Sequence, residues 1–150
     1  MKIELKNVKY AAFNSQETDC FEATIYLDGK RACRVSNEGH GGPHLFESLA
    51  VQQQIDAYAK TLPEIDVSYL YSDGAHHTMA QDAELLISGL VERWLQKKQC
   101  ANKVMYRAPG QTYGEDQWHV VKGNFTPEIR ASLVAKHGEG TDFFNDQFVD

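Results

Sequence analysis

The stretch CFEATIYLDGKRACRVSN, Cys20 to Asn37, decides the fold. Apolar and polar residues alternate on both sides of Asp28-Gly29, a dipeptide that tolerates the positive φ angles of a type I′ turn. The pattern reads as a β-hairpin. A two-residue turn at 28–29 places Tyr26 opposite Arg31 and Thr24 opposite Cys33. In that register Phe21, Ala23, Ile25, Leu27 and Ala32 share a core-facing side. Glu22, Thr24, Tyr26, Arg31 and Val35 share the other, wetter side. Cys20 then lies about 13 Å along the strand from the position facing Cys33, at about 3.3 Å per residue. A disulfide needs Cα atoms within about 7 Å. With Cys100 the cysteines are odd in number and lack a CxxC, so reduced, half-buried thiols are expected, with no cysteine zinc site.

Upstream, KIELKNVKYAAF (Lys2 to Phe13) reads as a strand. Its apolar parity switches from Ile3 and Leu5 to Val8 and Tyr10, which places a bulge near Asn7. NSQETD is a polar loop. Downstream, VSNEGHGGPH (Val35 to His44) forms a glycine corner leading into a helix over His44 to Leu62, where Val51, Ile55, Tyr58 and Leu62 recur at helical spacing until Pro63. EIDVSYLYSDGAHH (Glu64 to His77) alternates like a strand but suits an ordered loop equally. A second helix is predicted from Met79 to Lys98, with Thr78 and Gln81 as a capping box. Gly89 within it marks a close packing contact. Two strands follow, Lys103 to Ala108 and Gln117 to Gly123. TPEIRASLVAKHG (Thr126 to Gly138) is a short helix capped by Thr126, opened by Pro127 and closed by Gly138. The aromatic tail TDFFNDQFVD is expected to pack back on the domain. The order gives an α+β class: an antiparallel sheet built from an N-terminal meander plus C-terminal strands, with two or three helices on one side. The length, 150 residues, suits a single globular domain over 1–150.

Net charge is −6, dispersed without any acidic run of five. That balance argues against direct nucleic-acid binding through a broad basic face. No run of 18 apolar residues occurs and the start lacks a signal-peptide core, so a cytoplasmic protein without membrane contact is expected.

The corner is the first candidate site. A glycine-rich loop before a helix can cradle an anion, which singles out Gly39, His40, Gly41, Gly42 and His44. No phosphate-binding lysine or magnesium-binding hydroxyl follows, and Pro43 removes a donor, so a tight turn is the competing reading. His40, His44, His76 and His77 are the candidate metal ligands, with Asp73 beside them, provided two loops meet. His76-His77-Thr78 holds one His-x-Thr unit, and the capping role of Thr78 accounts for it. No GxSxG or complete acid–base pair is present, so no catalytic residue and no cofactor is assigned. Tyr26 and Arg31, a cross-strand pair of favoured interface residue types, and Tyr69 and Tyr71 form the candidate protein-binding surface.

At CFEATIYLDGKRACRVSNEGHGG the sequence resembles a recurring type of small uncharacterised protein encoded by bacteriophages, prophages and plasmids. These share a CF-A-(V/I)-Y-DGK-A hairpin running into an SN-GHGG corner, over about Tyr10 to Gly42. The resemblance implies no activity and no catalytic residue. It implies an accessory protein of a mobile element that binds a host protein, host-defence antagonism included. The alternative expectation is a small metal- or nucleotide-binding protein or hydrolase built at the Gly/His corner. A structural or dimerisation role is a third.

Overall fold

The computed structural model describes residues 1–149. Its strands pair antiparallel throughout and its class is α+β. Two compact units emerge, Met1–Val91 and Glu92–Asp150. The N-terminal meander belongs to a four-stranded sheet in the first unit, and the C-terminal strands to a separate three-stranded sheet in the second.

In the first unit, β1 (Ile3–Tyr10), β2 (Cys20–Leu27), β3 (Lys30–Glu38) and β4 (Leu45–Phe46) lie in sequence order. The bulge of β1 falls between Lys6 and Lys9, where Asn7 takes φ 54°, as the parity switch predicts. The β2–β3 hairpin forms at Asp28-Gly29, and Tyr26 faces Arg31. Beyond that pair the expected register fails. Ala32 is bulged, so Cys33 faces Ile25 and Arg34 faces Thr24. One extra residue inverts the facing of everything after it. Val35, assigned to the wetter side, is therefore core, together with Cys33 and Asn37. The thiol of Cys33 is fully buried, deeper than expected, and burial pushes its pKa up. All three cysteines are free.

The glycine corner does not run into a helix. Leu45 and Phe46 return as β4 against Ser36 and Val35, and Glu47 donates its backbone N–H to Arg34 O at 2.9 Å. Helix α1 (Leu49–Ala59) starts five residues later than predicted. Ser48 is its cap, with an extended backbone and its hydroxyl accepting from Val51 N. Leu45 and Leu49, within the span predicted as helix, are exposed. The Glu64–His77 segment is mostly loop, closed by β5 (Ile65–Asp66) and β6 (Thr78–Met79). Thr78 is thus in a strand, and its hydroxyl donates to Glu64. Helix α2 (Ala83–Gln99) is capped instead by Asp82, which accepts from Leu85 N at 2.8 Å. Ile55 and Ala59 of α1 and Ala83, Ile87 and Val91 of α2 complete the core with Phe21, Ala23 and Ile25. Gly89 meets no close neighbour, contrary to expectation: nothing lies within 4 Å of a Cβ built there.

In the second unit, β7 (Lys103–Arg107) is flanked by β8 (His119–Lys122) and β9 (Asp142–Phe143). Helix α3 (Pro127–His137) has the predicted Thr126 cap and the Gly138 exit at φ 112°. The tail packs back over its described residues, Asp150 lying outside them. Phe143 is buried, and the buried Asn145 side chain accepts from Met105 N and donates to Lys103 O, each at 2.8 Å. It continues the β9 pairing with side-chain atoms. No helix among the described residues is long and apolar enough to cross a membrane.

Candidate functional site

The corner is organised by Asn37. Its Oδ1 accepts from Gly39 N and from the Thr18 hydroxyl, each at 2.8 Å, and its Nδ2 donates to Gly42 O at 2.9 Å. Because a backbone N–H can only donate, the amide orientation is fixed. Nδ2 is therefore also the atom 3.1 Å from His44 Nδ1. His44 is buried, with its ring edge-on to Phe21. Its backbone N–H donates to both oxygens of Glu84, at 3.0 and 2.9 Å, and its Nε2 lies 2.8 Å from Ser88 Oγ. Glu84 and Ser88 are four apart, so they share one face of α2.

Ser88, His44 and Glu84 are thus spaced like a nucleophile, base and orienting carboxylate, with Nδ1 3.3 Å from Glu84 Oε1. The hydrogen-bond directions oppose that chemistry. Nδ1 accepts from Asn37, so the proton of the neutral ring sits on Nε2 and points at Ser88. A general base needs its lone pair there. Burial pushes the His44 pKa below the ordinary histidine value, against the pull of Glu84, Asp19 and Asp82, which keeps the ring neutral. The arrangement clasps the corner to α2. Three of the corner N–H groups are also committed: Gly39 N to Asn37, Gly41 N to Thr18 and His44 N to Glu84. Gly39 and Gly41 take φ of +86° and +93°, the turn geometry read from the sequence. Gly42 has open space around it and His40 is exposed.

His76 and His77 belong to the loop between β5 and β6. His77 Nε2 lies 2.9–3.0 Å from the Asp73 carboxylate, and His76 Nδ1 lies 3.9 Å from Asp66. Among the described residues no three His, Cys, Asp or Glu side chains form a group that could hold a metal ion.

The same loop exposes three consecutive apolar side chains, and β6 exposes a fourth. Tyr69, Leu70 and Tyr71 are 82%, 65% and 53% exposed, and Met79 is 42% exposed. The loop is held from within. Val67, buried, donates to His77 O at 2.9 Å, and Ser68 Oγ accepts from His77 N at 2.8 Å. Ser68 N donates to Asp66, and Leu70 N and Tyr71 N close the short helical turn onto Val67 O and Ser68 O. The Tyr71 ring stacks on His77 at 3.8 Å. The Asp66 pKa is lowered by the Ser68 hydroxyl and N–H, and that of Asp73 by Ala75 N–H and then His77. Between Pro63 and Asp82 the chain carries Glu64, Asp66, Asp73 and Asp82 and no Lys or Arg.

Tyr26 and Arg31 pair as predicted, but Lys6 covers the Tyr26 ring at 4.3 Å and Glu22 pairs with Arg34 beside them. Leu70, Asn37, Glu84 and Ser88 escaped the sequence reading. Only the four-residue spacing of Glu84 and Ser88 hinted at a shared partner. No family model, curated protein or solved structure matches the chain.

Proposed function

We propose that the protein works by binding a protein of the host cell through the Tyr69–Leu70–Tyr71 ridge. The observation that carries this reading is a ridge of three consecutive exposed apolar residues whose backbone is tied down by its own loop. Tyr is a favoured anchor, and a preformed loop loses little entropy on docking. The resemblance to mobile-element proteins supplies the host context. The carboxylates flanking the ridge suit a partner surface with an apolar pocket and a basic rim.

The test is recovery of a stoichiometric partner from host lysate, followed by calorimetry with that purified partner. Tyr69→Ser combined with Leu70→Ser is expected to weaken binding at least about a hundredfold, the loss of two anchors, with unchanged folding. A partner that binds the double variant with wild-type affinity refutes the assignment. The Gly/His corner fits a structural role better, since His44 and the N–H groups of Gly39, Gly41 and His44 are already engaged.

A further inference from the structure

Strand β1 is an edge of the four-stranded sheet: one side pairs with β2 and no strand among the described residues pairs with the other. Its sequence, IELKNVKY, is its own antiparallel complement. Laid against a second copy about an axis between Lys6 and Asn7, Ile3 faces Tyr10, Glu4 faces Lys9, Leu5 faces Val8 and Lys6 faces Asn7. Sliding by one residue in one direction sets Lys6 against Lys6 and Ile3 against Lys9. Sliding in the other sets Leu5 against Lys9. One register therefore matches charge with charge and apolar with apolar.

The bulge makes the faces agree. Ile3, Leu5 and Tyr10 face Leu27, Ile25 and Phe21 on the core side, whereas Glu4, Lys6 and Lys9 face Tyr26, Thr24 and Glu22 on the outer side. Without the extra residue at Asn7, Tyr10 and Lys9 would exchange sides. Bulges and lysines on edges ordinarily block pairing. Here the bulge aligns each residue with a partner on the same face, and the lysines are met by Glu4 or Asn7.

One further feature fits the same arrangement. An apolar groove of about 360 Å³ opens beside Ile3, walled by Leu62, Leu85, Leu86 and Leu90, with Gly89 leaving it open. A glycine inside a helix is destabilising, and no packing contact at Gly89 offsets it. Because Ile3 lies on the free edge, a second copy paired there sits beside this groove.

We propose that the protein self-associates as a two-fold dimer through antiparallel pairing of β1 with β1, each copy bordering the groove of the other. Four strands from each copy then form one eight-stranded sheet. The contact is isologous, so it closes at two copies.

Sedimentation of the full chain from roughly 1 µM to 1 mM tests this, a span that covers moderate to weak dimers. A monomer–dimer equilibrium is expected. Lys9→Glu alone should disperse the dimer, and Glu4→Lys with Lys9→Glu should restore it. That rescue separates pairing from any folding effect of Lys9→Glu against Glu22 of its own chain. Gly89→Leu should fill the groove and weaken the dimer while leaving the fold intact. A monomer at every concentration overturns the proposal. So does a dimer that tolerates Lys9→Glu, or one that Lys9→Glu disperses and the double charge reversal does not restore.

Discussion

Replacing the corner glycines one at a time by alanine should give three different costs. At Gly39, with φ +86°, an added Cβ would lie 2.1 Å from Asn14 O and 2.9 Å from Cys20 Cβ. Neither neighbour can swing away. Gly39 O accepts from Gln16 N and Glu17 N at 3.0 and 3.1 Å, and Gly39 N is held by Asn37, so the two loops are tied together at this residue. The left-handed conformation costs a non-glycine residue about 1–2 kcal/mol. Overpacking adds about 1–3 kcal/mol. Gly39→Ala should therefore destabilise by roughly 2–5 kcal/mol, a large part of the roughly 5–15 kcal/mol that holds a typical domain together. At Gly41, with φ +93°, the Cβ would meet Glu17 Oε2 at 2.3 Å, the tip of a flexible side chain that can rotate aside. Only the backbone cost remains, about 1–2 kcal/mol. Gly42 has no atom within 4 Å of a Cβ and no positive φ, so Gly42→Ala should stay within about 0.5 kcal/mol of wild type. Urea unfolding at pH 7, read as midpoint shifts at constant m-value, measures all three. If Gly39→Ala and Gly42→Ala cost the same, backbone geometry is not what the corner glycines serve, and a ligand-facing role returns.

Two other outcomes follow from buried polar groups. His44 is neutral in the fold, its pKa lowered from the ordinary 6.5 by burial. The unfolded chain therefore takes up a proton first on acidification. The contribution of His44 is intact above about pH 6.5 and is lost as pH falls through the folded pKa. The drop in urea midpoint between pH 7.5 and 5 should be smaller in His44→Gln than in wild type, and an equal drop in both counts against a neutral buried ring. Asn145→Ala should cost about 1–3 kcal/mol by leaving Met105 N and Lys103 O without partners. Hydrogen exchange at the Met105 amide, much faster in the variant, locates the effect at that bond.

The strong local signals were legible. The Asp-Gly hairpin, the bulge at Asn7 and the Thr126-Pro127 start with its Gly138 exit each rest on chemistry carried by a few adjacent residues. What escaped notice depended on distant residues. Nothing near Ala32 announces a bulge, yet the bulge sends Val35 and Asn37 inward, where Asn37 meets Thr18 and His44. The apolar residues from Leu45 to Leu49 keep a helical spacing, but the free edge of β3 captures Leu45 and Phe46 first, and the Ser48 cap sets the start of α1. Thr78 makes a good cap in isolation and a strand residue once Ile65 pairs with Met79. Of the site candidates, Tyr69 and Tyr71, chosen by residue type, lie exposed. Residue type could not say that the histidines would be claimed separately, His44 by Asn37 and Ser88 and His77 by Asp73.

The same physical question separates the two candidate regions: where do the polar groups of each loop go? In the corner the bonded groups are spent inward. Gly39 N, Gly41 N and His44 N reach Asn37, Thr18 and Glu84, and both ring nitrogens of His44 have protein neighbours. A ligand arriving there would have to displace bonds that hold β3 to α2, each broken partner costing about 1–3 kcal/mol. In the loop between β5 and β6 the polar groups are likewise satisfied within the loop, by Asp66, Ser68, Asp73 and His77, but the apolar side chains point out. Docking on Tyr69 and Leu70 displaces only water, and the backbone beneath them is already ordered. His44 is held within the fold by Asn37 and Ser88, whereas Tyr69 and Leu70 keep their contact surface available, and that contrast is the ground for the proposed binding surface.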